Sequence, residues 1–138
     1  MARMTLREVL HAHIPTLTRR STVQDAVDKM DVYQFSALVV VDEDMAPIAV
    51  VTEGDVCRAV ERKGSLTAIA SELAISIGTS EPKTASPDTE VSDALHFMLG
   101  SGLTVLPIVD AGRLCGMVLR TDLMQSMLVD CAAKAEKE

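Results

Sequence analysis

Aromatic side chains are almost absent from this chain of 138 residues, which has no tryptophan, one tyrosine and two phenylalanines. Its core must therefore consist of aliphatic residues and methionine. Proteins that bind single-stranded nucleic acids stack bases on aromatic side chains. A polyanionic partner also requires a basic patch, whereas this chain has a net charge of −7. We therefore expect no nucleic-acid partner.

Long apolar runs and paired cysteines are also missing. No run approaches the roughly 18 residues that cross a bilayer, and "MARMTLREVL" carries charges where a signal peptide would be apolar. Cys57, Cys115 and Cys131 are an odd number without C-x-x-C spacing, which favours reduced thiols. We expect a cytoplasmic protein without membrane contact, with Cys57 and Cys115 as small core residues and Cys131 as the exposed thiol.

The usual catalytic signatures are missing as well. The chain has no P-loop, no G-x-G-x-x-G and no grouping typical of a Ser/His/Asp or Cys/His nucleophile. His11 and His13 could present two imidazoles, but no cysteine or acidic cluster completes a metal site. We expect neither an enzyme nor a metal centre.

What the chain does contain is an internal repeat. A shift of 68 residues places Ser21 on Thr89, so that "STVQDAVDKM" falls on "TEVSDALHFM" and "SALVVVD" on "TVLPIVD". After a slip of one residue, "IAVVTEGDV" falls on "CGMVLRTDL". Such a slip is typical of turns of different length, here "EDMA" and "AGR". Three blocks in the same order indicate two copies of one structural unit.

Each copy predicts the element order β-α-β-β-α. Apolar residues recur at i, i+3, i+4 and i+7 in one helix of each copy, and two short β-branched runs after it predict a hairpin. Ser21 with Gln24, and more weakly Thr89 with Ser92, are the expected helix caps. The expected elements are leading strands at Pro15–Thr18 and Lys83–Ser86, hairpins of Ala37–Val41 with Ile48–Val51 and Val105–Val109 with Cys115–Leu119, second helices at Asp55–Lys63 and Asp122–Ala133, and a connecting helix at Thr67–Ala74.

The pattern S-x-x-x-x-V-x-x-A-x-x-x-M, then apolar-P-V-V-D, then G-x-V-T-x-x-D-L resembles the cystathionine-β-synthase-type (CBS) domain. Two such copies resemble a CBS pair, or Bateman module. "SPDTEVSDALHFM" and "LPIVDAGRLCGMVLRTDL" match best, whereas copy one has Val39 for the usual proline and Ala49 for the usual glycine. The resemblance implies an α+β fold with α/β-like character, in which two β-α-β-β-α repeats pack sheet to sheet about a pseudo-two-fold axis. We expect repeats at 1–64, with an N-terminal helix, and 65–138, with the connecting helix, together in one compact domain.

The resemblance also implies a regulatory ligand that contains adenosine, such as AMP, ADP, ATP or S-adenosylmethionine, bound in clefts between the repeats, and no required cofactor. In this family the motif's Asp takes the ribose hydroxyls and its Thr lies near the ribose or phosphate. Those positions are Thr52 and Asp55 in copy one, and Leu119 and Asp122 in copy two, where Arg120 and Thr121 are adjacent. The positions expected on the adenine side are Thr16, Ser36, Ala37, Leu38, Thr84, Thr104, Val105 and Leu106.

Two interpretations of the Thr52–Asp55 stretch are open. An ionised carboxylate can accept two hydrogen bonds from a vicinal diol, and a helix N-terminus suits a phosphate. The same residues also form a capping box, which would begin a helix without any ligand. For the adenine-side positions, the corresponding alternative is ordinary strand packing.

The two sites are expected to be unequal. Leu119 lacks the hydroxyl of Thr52, and Thr121 on the following helix points elsewhere. Arg120 is a potential phosphate ligand where copy one has the repulsive Glu53. A phosphate at the first site therefore requires another cation: Lys83, Arg58 or the Arg19–Arg20 pair. If only one site fills, we expect the one that holds Asp55.

Two helices carry more apolar residues than one buried face requires, which indicates a second partner surface. We expect a homodimer, with cover by an N-terminal helix at Thr5–Leu10 as the alternative. The sequence thus predicts a regulatory module that modulates an unidentified partner protein. The alternative is a ligand-free interaction or dimerisation scaffold, in which Leu119 and Glu53 mark degenerate sites. The surplus apolar residues are Phe97, Leu99, Met124, Met127 and Leu128.

Overall fold

A computed structural model describes residues 3–137, and the side chains of residues 3–129. The described chain divides into two compact units. The first unit comprises Ile14–Pro82 with Gly112–Leu114 and contains copy one. The second unit comprises the segment up to His13, Lys83–Ala111 and the chain from Cys115 onward, and contains copy two.

The first unit is built on a four-stranded sheet in the order β1-β2-β3-β4. β1 is parallel to β2, and the other neighbours are antiparallel. All five residues of β2 are buried, because "ALVVV" presents apolar side chains on both faces. The elements are β1 (Thr16–Leu17), α1 (Val23–Tyr33), β2 (Ala37–Val41), β3 (Pro47–Thr52), α2 (Glu53–Lys63), α3 (Leu66–Ile69), a 3-10 helix (Ala74–Ser76) and β4 (Thr79–Ser80).

The second unit repeats this arrangement around a two-stranded sheet of β5 and β6. A parallel bridge joins Ala85 to Ile108, where β1 joins β2 in the first unit. Its core is aliphatic and includes Leu6, Met98, Leu106 and Leu123, all fully buried. The elements are a 3-10 helix (Leu6–Glu8), α4 (Val91–Ser101), β5 (Val105–Asp110), β6 (Arg113–Leu119) and α5 (Arg120–Lys137).

Each copy's leading segment lies in the unit that holds the other copy. Thr5 pairs with Glu90 in the second unit, and Leu73 pairs with Thr22 in the first. The shift of 68 residues that relates the copies places Thr5 on Leu73 and Thr22 on Glu90. Backbone pairing thus places these short segments in a different unit from the rest of their copy.

The predicted α+β class and the repeated β-α-β-β-α order are confirmed, but the caps are corrected. α1 is capped by Thr22 in a capping box with Asp25, whereas the Ser21 hydroxyl accepts the Thr18 N–H at 2.9 Å. α4 begins after Glu90, which makes no side-chain capping bond. Thr89 cannot be the cap because it lies one residue too early, where its carbonyl accepts the Leu6 N–H.

Two predicted helices are shorter than expected. The N-terminal segment forms only a 3-10 helix at Leu6–Glu8, in which the Leu6 and Arg7 N–H groups bond to the carbonyls of Thr89 and Pro87. The connecting helix is divided into α3 and a 3-10 helix at Ala74–Ser76. No helix in residues 3–137 is both long and apolar enough to cross a membrane.

Candidate functional site

The first candidate site is the corner where β3 passes into α2. Thr52 is the last residue of β3 and the N-cap of α2. Its hydroxyl accepts the Asp55 N–H at 3.1 Å, and Asp55 Oδ2 accepts the Thr52 N–H at 2.9 Å. Thr52 and Asp55 thus form the capping box at this corner. The Asp55 side chain is only 10% exposed, so the box holds its carboxylate in one orientation.

Arg58 completes the first corner. Its Nη2 donates to Asp55 Oδ1 at 2.7 Å, and its side chain remains 64% exposed. A Cβ at Gly54 would lie 3.2 Å from Arg58 Nη1, so the missing side chain at Gly54 leaves room for the guanidinium. Of the predicted phosphate candidates, Arg58 is the one that lies at this carboxylate.

The second corner, where β6 passes into α5, has a different set of contacts. Asp122 Oδ2 accepts the Leu119 N–H at 3.0 Å, which reproduces one half of the box. Leu119 has no hydroxyl for the other half. The second partner of Oδ2 is His11 Nε2 at 2.8 Å. Because an ionised carboxylate only accepts hydrogen bonds, Nε2 is the donor.

His11 was not among the predicted site residues. Its sequence signal was weak, because the "HAH" stretch suggested only an incomplete metal site. His11 and Asp122 are separated by 111 positions, and the repeat relates His11 to Thr79, which has no imidazole. No three His, Cys, Asp or Glu side chains form a metal-binding group in the part of the chain that the structure describes.

The predicted adenine-side residues after α1 and α4 lie beside these corners through their backbones. The Ser36 carbonyl accepts the Glu53 N–H at 2.8 Å, and the Thr104 carbonyl accepts the Arg120 N–H at 3.1 Å. Ser36 and Thr104 are exposed. The four residues that follow them point into the core and have strand-packing side chains: Ala37, Leu38, Val105 and Leu106.

The remaining predicted residues make no hydrogen bond, within the described residues, to the Asp55 or Asp122 carboxylate of their own unit. In the first unit, the Thr16 carbonyl accepts from Lys29 Nζ at 2.7 Å. In the second, Lys83 and Thr84 are exposed just before the bridging Ala85. Thr121 is exposed on α5, whereas Arg120 is half-buried.

A shallow groove of about 460 Å³ lies in the first unit between the end of α1 and the start of α2. Ser36 is the only predicted site residue that lines it in the described chain. Cys57 also lines it and is exposed, so its predicted place in the core is wrong. The buried face of α2 is set by Val56 and Ala59, and Cys57 is rotated off that face.

The other thiols differ from Cys57. Cys115 is half-buried and donates to the Ile108 carbonyl at 3.3 Å. Burial raises the pKa of the Cys115 thiol, and the nearby Asp110 carboxylate adds to this. Cys131 lies outside the residues whose side chains are described.

The surplus apolar residues of α4 and α5 are exposed. The exposed fractions are 40% for Phe97, 58% for Leu99, 49% for Met124, 37% for Met127 and 65% for Leu128. The N-terminal segment leaves them uncovered, because Leu6 points into the second unit's core instead.

Comparison with known proteins finds a matching family and similar sequences. A family model described as CBS domain matches residues 6–62 and again 73–129. An uncharacterized 17.7 kDa protein of Acidianus ambivalens is 31% identical over 78% of this chain and 63% of its own. Inosine-5′-monophosphate dehydrogenase of Methanocaldococcus jannaschii is 29% identical over 94% of this chain and 25% of its own. The chain thus spans less than two thirds of these relatives.

Solved structures show the same fold. CBSX2 in complex with AMP has a TM-score of 0.77 at 21% identity, covering 91% of this chain and 96% of its own. AcuB, a putative acetoin utilization protein from Vibrio cholerae, has a TM-score of 0.83 at 18% identity, covering 99% and 98%. A putative signal-transduction protein with CBS domains from Burkholderia ambifaria has a TM-score of 0.76 at 27% identity, covering 91% and 92%.

Proposed function

Since this chain belongs to the CBS-domain family and carries two copies of the domain, we propose that it is a regulatory module. It binds an adenosine-containing ligand at the Thr52–Asp55 corner and modulates a partner protein, without catalysing a reaction itself. Ligand binding couples to the partner through differential affinity for two states of the module.

The acceptor capacity of Asp55 is the observation that carries this proposal. Each carboxylate oxygen has about two lone-pair sites. From the described residues, Asp55 Oδ2 accepts one bond, from Thr52, and Oδ1 accepts one, from Arg58. One acceptor site therefore remains on each oxygen, which is the requirement of a vicinal diol. A ribose presents that diol.

Arg58 supplies the cation that a phosphate needs at this corner. Its guanidinium lies at the N-terminal turn of α2, where backbone N–H groups and the helix dipole also favour an anion. Because Arg58 is largely exposed, it can contact a phosphate without moving a packed side chain. Glu53 opposes an anion, so we propose Arg58 as the principal phosphate ligand.

The structure of CBSX2 in complex with AMP supports an adenosine ligand and makes AMP the first compound to test. ATP, ADP and S-adenosylmethionine share the ribose diol and belong to the same proposed class. We further propose that the exposed apolar residues of α4 and α5 form a homodimer interface.

A thermal-shift titration with AMP tests the proposal. At a concentration of 100 Kd, a ligand specific for the folded state adds about 2.7 kcal/mol, equivalent to a rise in Tm of roughly 5–10 °C for a domain of this size. Asp55→Ala should abolish the rise. Asp25→Ala is the matched control, because Asp25 closes the same kind of capping box on α1 and should leave the AMP response intact.

The second candidate is a ligand-free scaffold, which is favoured by Leu119 at the second corner and Glu53 at the first. Unchanged Tm values with AMP, ATP and S-adenosylmethionine, combined with intact dimerisation, would select the scaffold and reject the nucleotide module.

A further inference from the structure

The N-terminal segment delivers His11 to the second corner through a fixed backbone connection. His11 forms an antiparallel bridge with Met117, in which its N–H donates to the Met117 carbonyl at 2.9 Å and its carbonyl accepts the Met117 N–H at 3.1 Å. Leu6, five residues earlier, is fully buried. The imidazole is therefore presented by an anchored segment of the second unit.

Gly116 permits this close approach. A Cβ at Gly116 would lie 2.5 Å from the His11 carbonyl oxygen and 2.7 Å from Leu10 Cδ1. Both distances are shorter than van der Waals contact, and the first involves backbone that cannot rotate away. The bridge that positions His11 thus depends on a glycine in β6.

The hydrogen bonds of Asp122 leave a different acceptor pattern from those of Asp55. Both lone-pair sites of Asp122 Oδ2 are used, one by the Leu119 N–H and one by His11 Nε2. Acceptor sites remain on Oδ1, but pairing one hydroxyl of the diol with each carboxylate oxygen needs a site on Oδ2 as well. Oδ2 has none left while His11 is in place.

We propose that the His11 imidazole occupies the second corner and prevents Asp122 from binding a ribose. The chain therefore binds one nucleotide, at the first corner. The inference rests on the proposed function, since it makes the His11 side chain the reason that only one of the two corners binds the ligand. Leu119 weakens the second corner, but His11 is what closes it.

The equivalent segment in the first unit shows what an open corner has instead. The repeat places His11 on Thr79, and Thr79 pairs with Val50 as His11 pairs with Met117. Thr79 is shorter than histidine, and its side chain makes no hydrogen bond to Asp55 within the described residues. The two matched backbone positions therefore carry different side chains, and of the two only His11 bonds to the aspartate of its corner.

Isothermal titration calorimetry of the full chain with AMP tests this inference with reciprocal variants. The wild type should bind one AMP per chain. His11→Thr, which gives the second corner the residue of the first, should bind two. Thr79→His, which supplies the first corner with the imidazole, should lose the wild-type site. His13→Thr, an exposed histidine two residues from His11, is the control and should bind one AMP.

The outcomes separate this inference from the proposed function. One AMP bound by both the wild type and a folded His11→Thr overturns the closure by His11 and leaves the proposed function intact. Two AMP bound by the wild type also overturns it. No AMP bound by any variant overturns both. If His11→Thr does not fold, as judged by circular dichroism, Thr79→His decides: undiminished AMP binding by that variant contradicts the inference.

Discussion

Thr52 and Leu119 occupy equivalent positions in the two copies, yet only Thr52 closes a capping box with the helix that follows it. Both backbone N–H groups bond to the aspartate three residues later, at 2.9 Å and 3.0 Å. Only the Thr52 hydroxyl returns a bond. The two caps thus differ by one side-chain oxygen, which makes the capping box complete at α2 and leaves half of it at α5.

The cap at Thr52 should contribute measurably to stability. Thr52→Ala is expected to lower the free energy of unfolding by about 1 kcal/mol, because an N–H of the first turn of α2 loses its acceptor. Urea denaturation with an unchanged m-value is the measurement. Leu119→Thr should act in the opposite direction by supplying the missing acceptor at α5. Equal unfolding free energies for the wild type and Thr52→Ala would contradict this assignment.

The capping box of α1 predicts a pH dependence. The bonds from Thr22 hold the pKa of the Asp25 carboxyl below its usual range. Its stabilising effect is therefore present at neutral pH and is lost as the pH falls through the lowered pKa. Asp25→Asn should reduce Tm at pH 7, and the difference should narrow below about pH 4.

Asp93→Asn is the matched control for Asp25→Asn. Asp93 occupies the equivalent position in α4, but Glu90 stands where Thr22 stands and makes no capping bond. The Tm of Asp93→Asn should differ little from that of the wild type at either pH. An equal Tm loss in both variants would show that the box at Asp25 is not the cause.

The thiols should differ in reactivity. Cys57 is exposed, whereas burial raises the pKa of the Cys115 thiol and reduces its reactive thiolate. Iodoacetamide at pH 7.5 should therefore alkylate Cys57 faster, as followed by peptide mass spectrometry. The difference should vanish in urea. Equal rates in the folded protein would contradict the described burial of Cys115.

The apolar surface of α4 and α5 should control assembly. We expect light scattering to give a dimer mass at micromolar concentration, and Leu128→Glu to give a monomer because it places a charge in the proposed interface. Gln24→Glu, at an exposed position on α1 in the first unit, adds the same charge outside the proposed interface and should remain dimeric. A monomeric wild type would reject the interface.

Two glycines of the second unit should respond oppositely to alanine. Gly116→Ala places a Cβ against the His11 backbone and should lower the free energy of unfolding by about 1–3 kcal/mol. Gly100→Ala meets nothing within 4 Å and lies inside α4, so it should raise the free energy of unfolding by up to about 1 kcal/mol. A neutral Gly116→Ala would show that the N-terminal segment is loosely held.

Local patterns predicted the features that depend on neighbouring residues. The periodic faces of α1 and α4, the hairpins and the box of Thr52 and Asp55 are all determined within a few positions of the chain. Cap assignments at Ser21 and Thr89 missed by one residue, because Ser21 and Thr22 are adjacent hydroxyl residues at the start of α1 and α4 begins after Glu90 without a side-chain cap. The order of the leading strands and helices along the chain was predicted. The unit that each leading segment joins was not, because it depends on backbone pairing that hydrophobic periodicity does not encode.

Local sequence patterns could not predict contacts between residues that are far apart in the sequence. The bond between His11 and Asp122 joins residues 111 positions apart, and only the fold brings Leu10 and His11 against Gly116. Arg58 was one of several predicted cations for the first site, and it lies only three residues from Asp55 on the same helix. His11 has no such neighbour in the sequence to reveal its partner.

Each copy's leading segment lies in the unit of the other copy, and this determines the order in which the two units can be completed during synthesis. Residues 4–11 are made before the first unit. The residues to which they attach leave the ribosome only after most of the first unit has been made; these are Glu90, Met117 and Asp122. Leu6 must therefore remain without its native core while Ile14–Pro82 is completed. Contacts of such high sequence separation form slowly, so the second unit should be the later of the two units to fold.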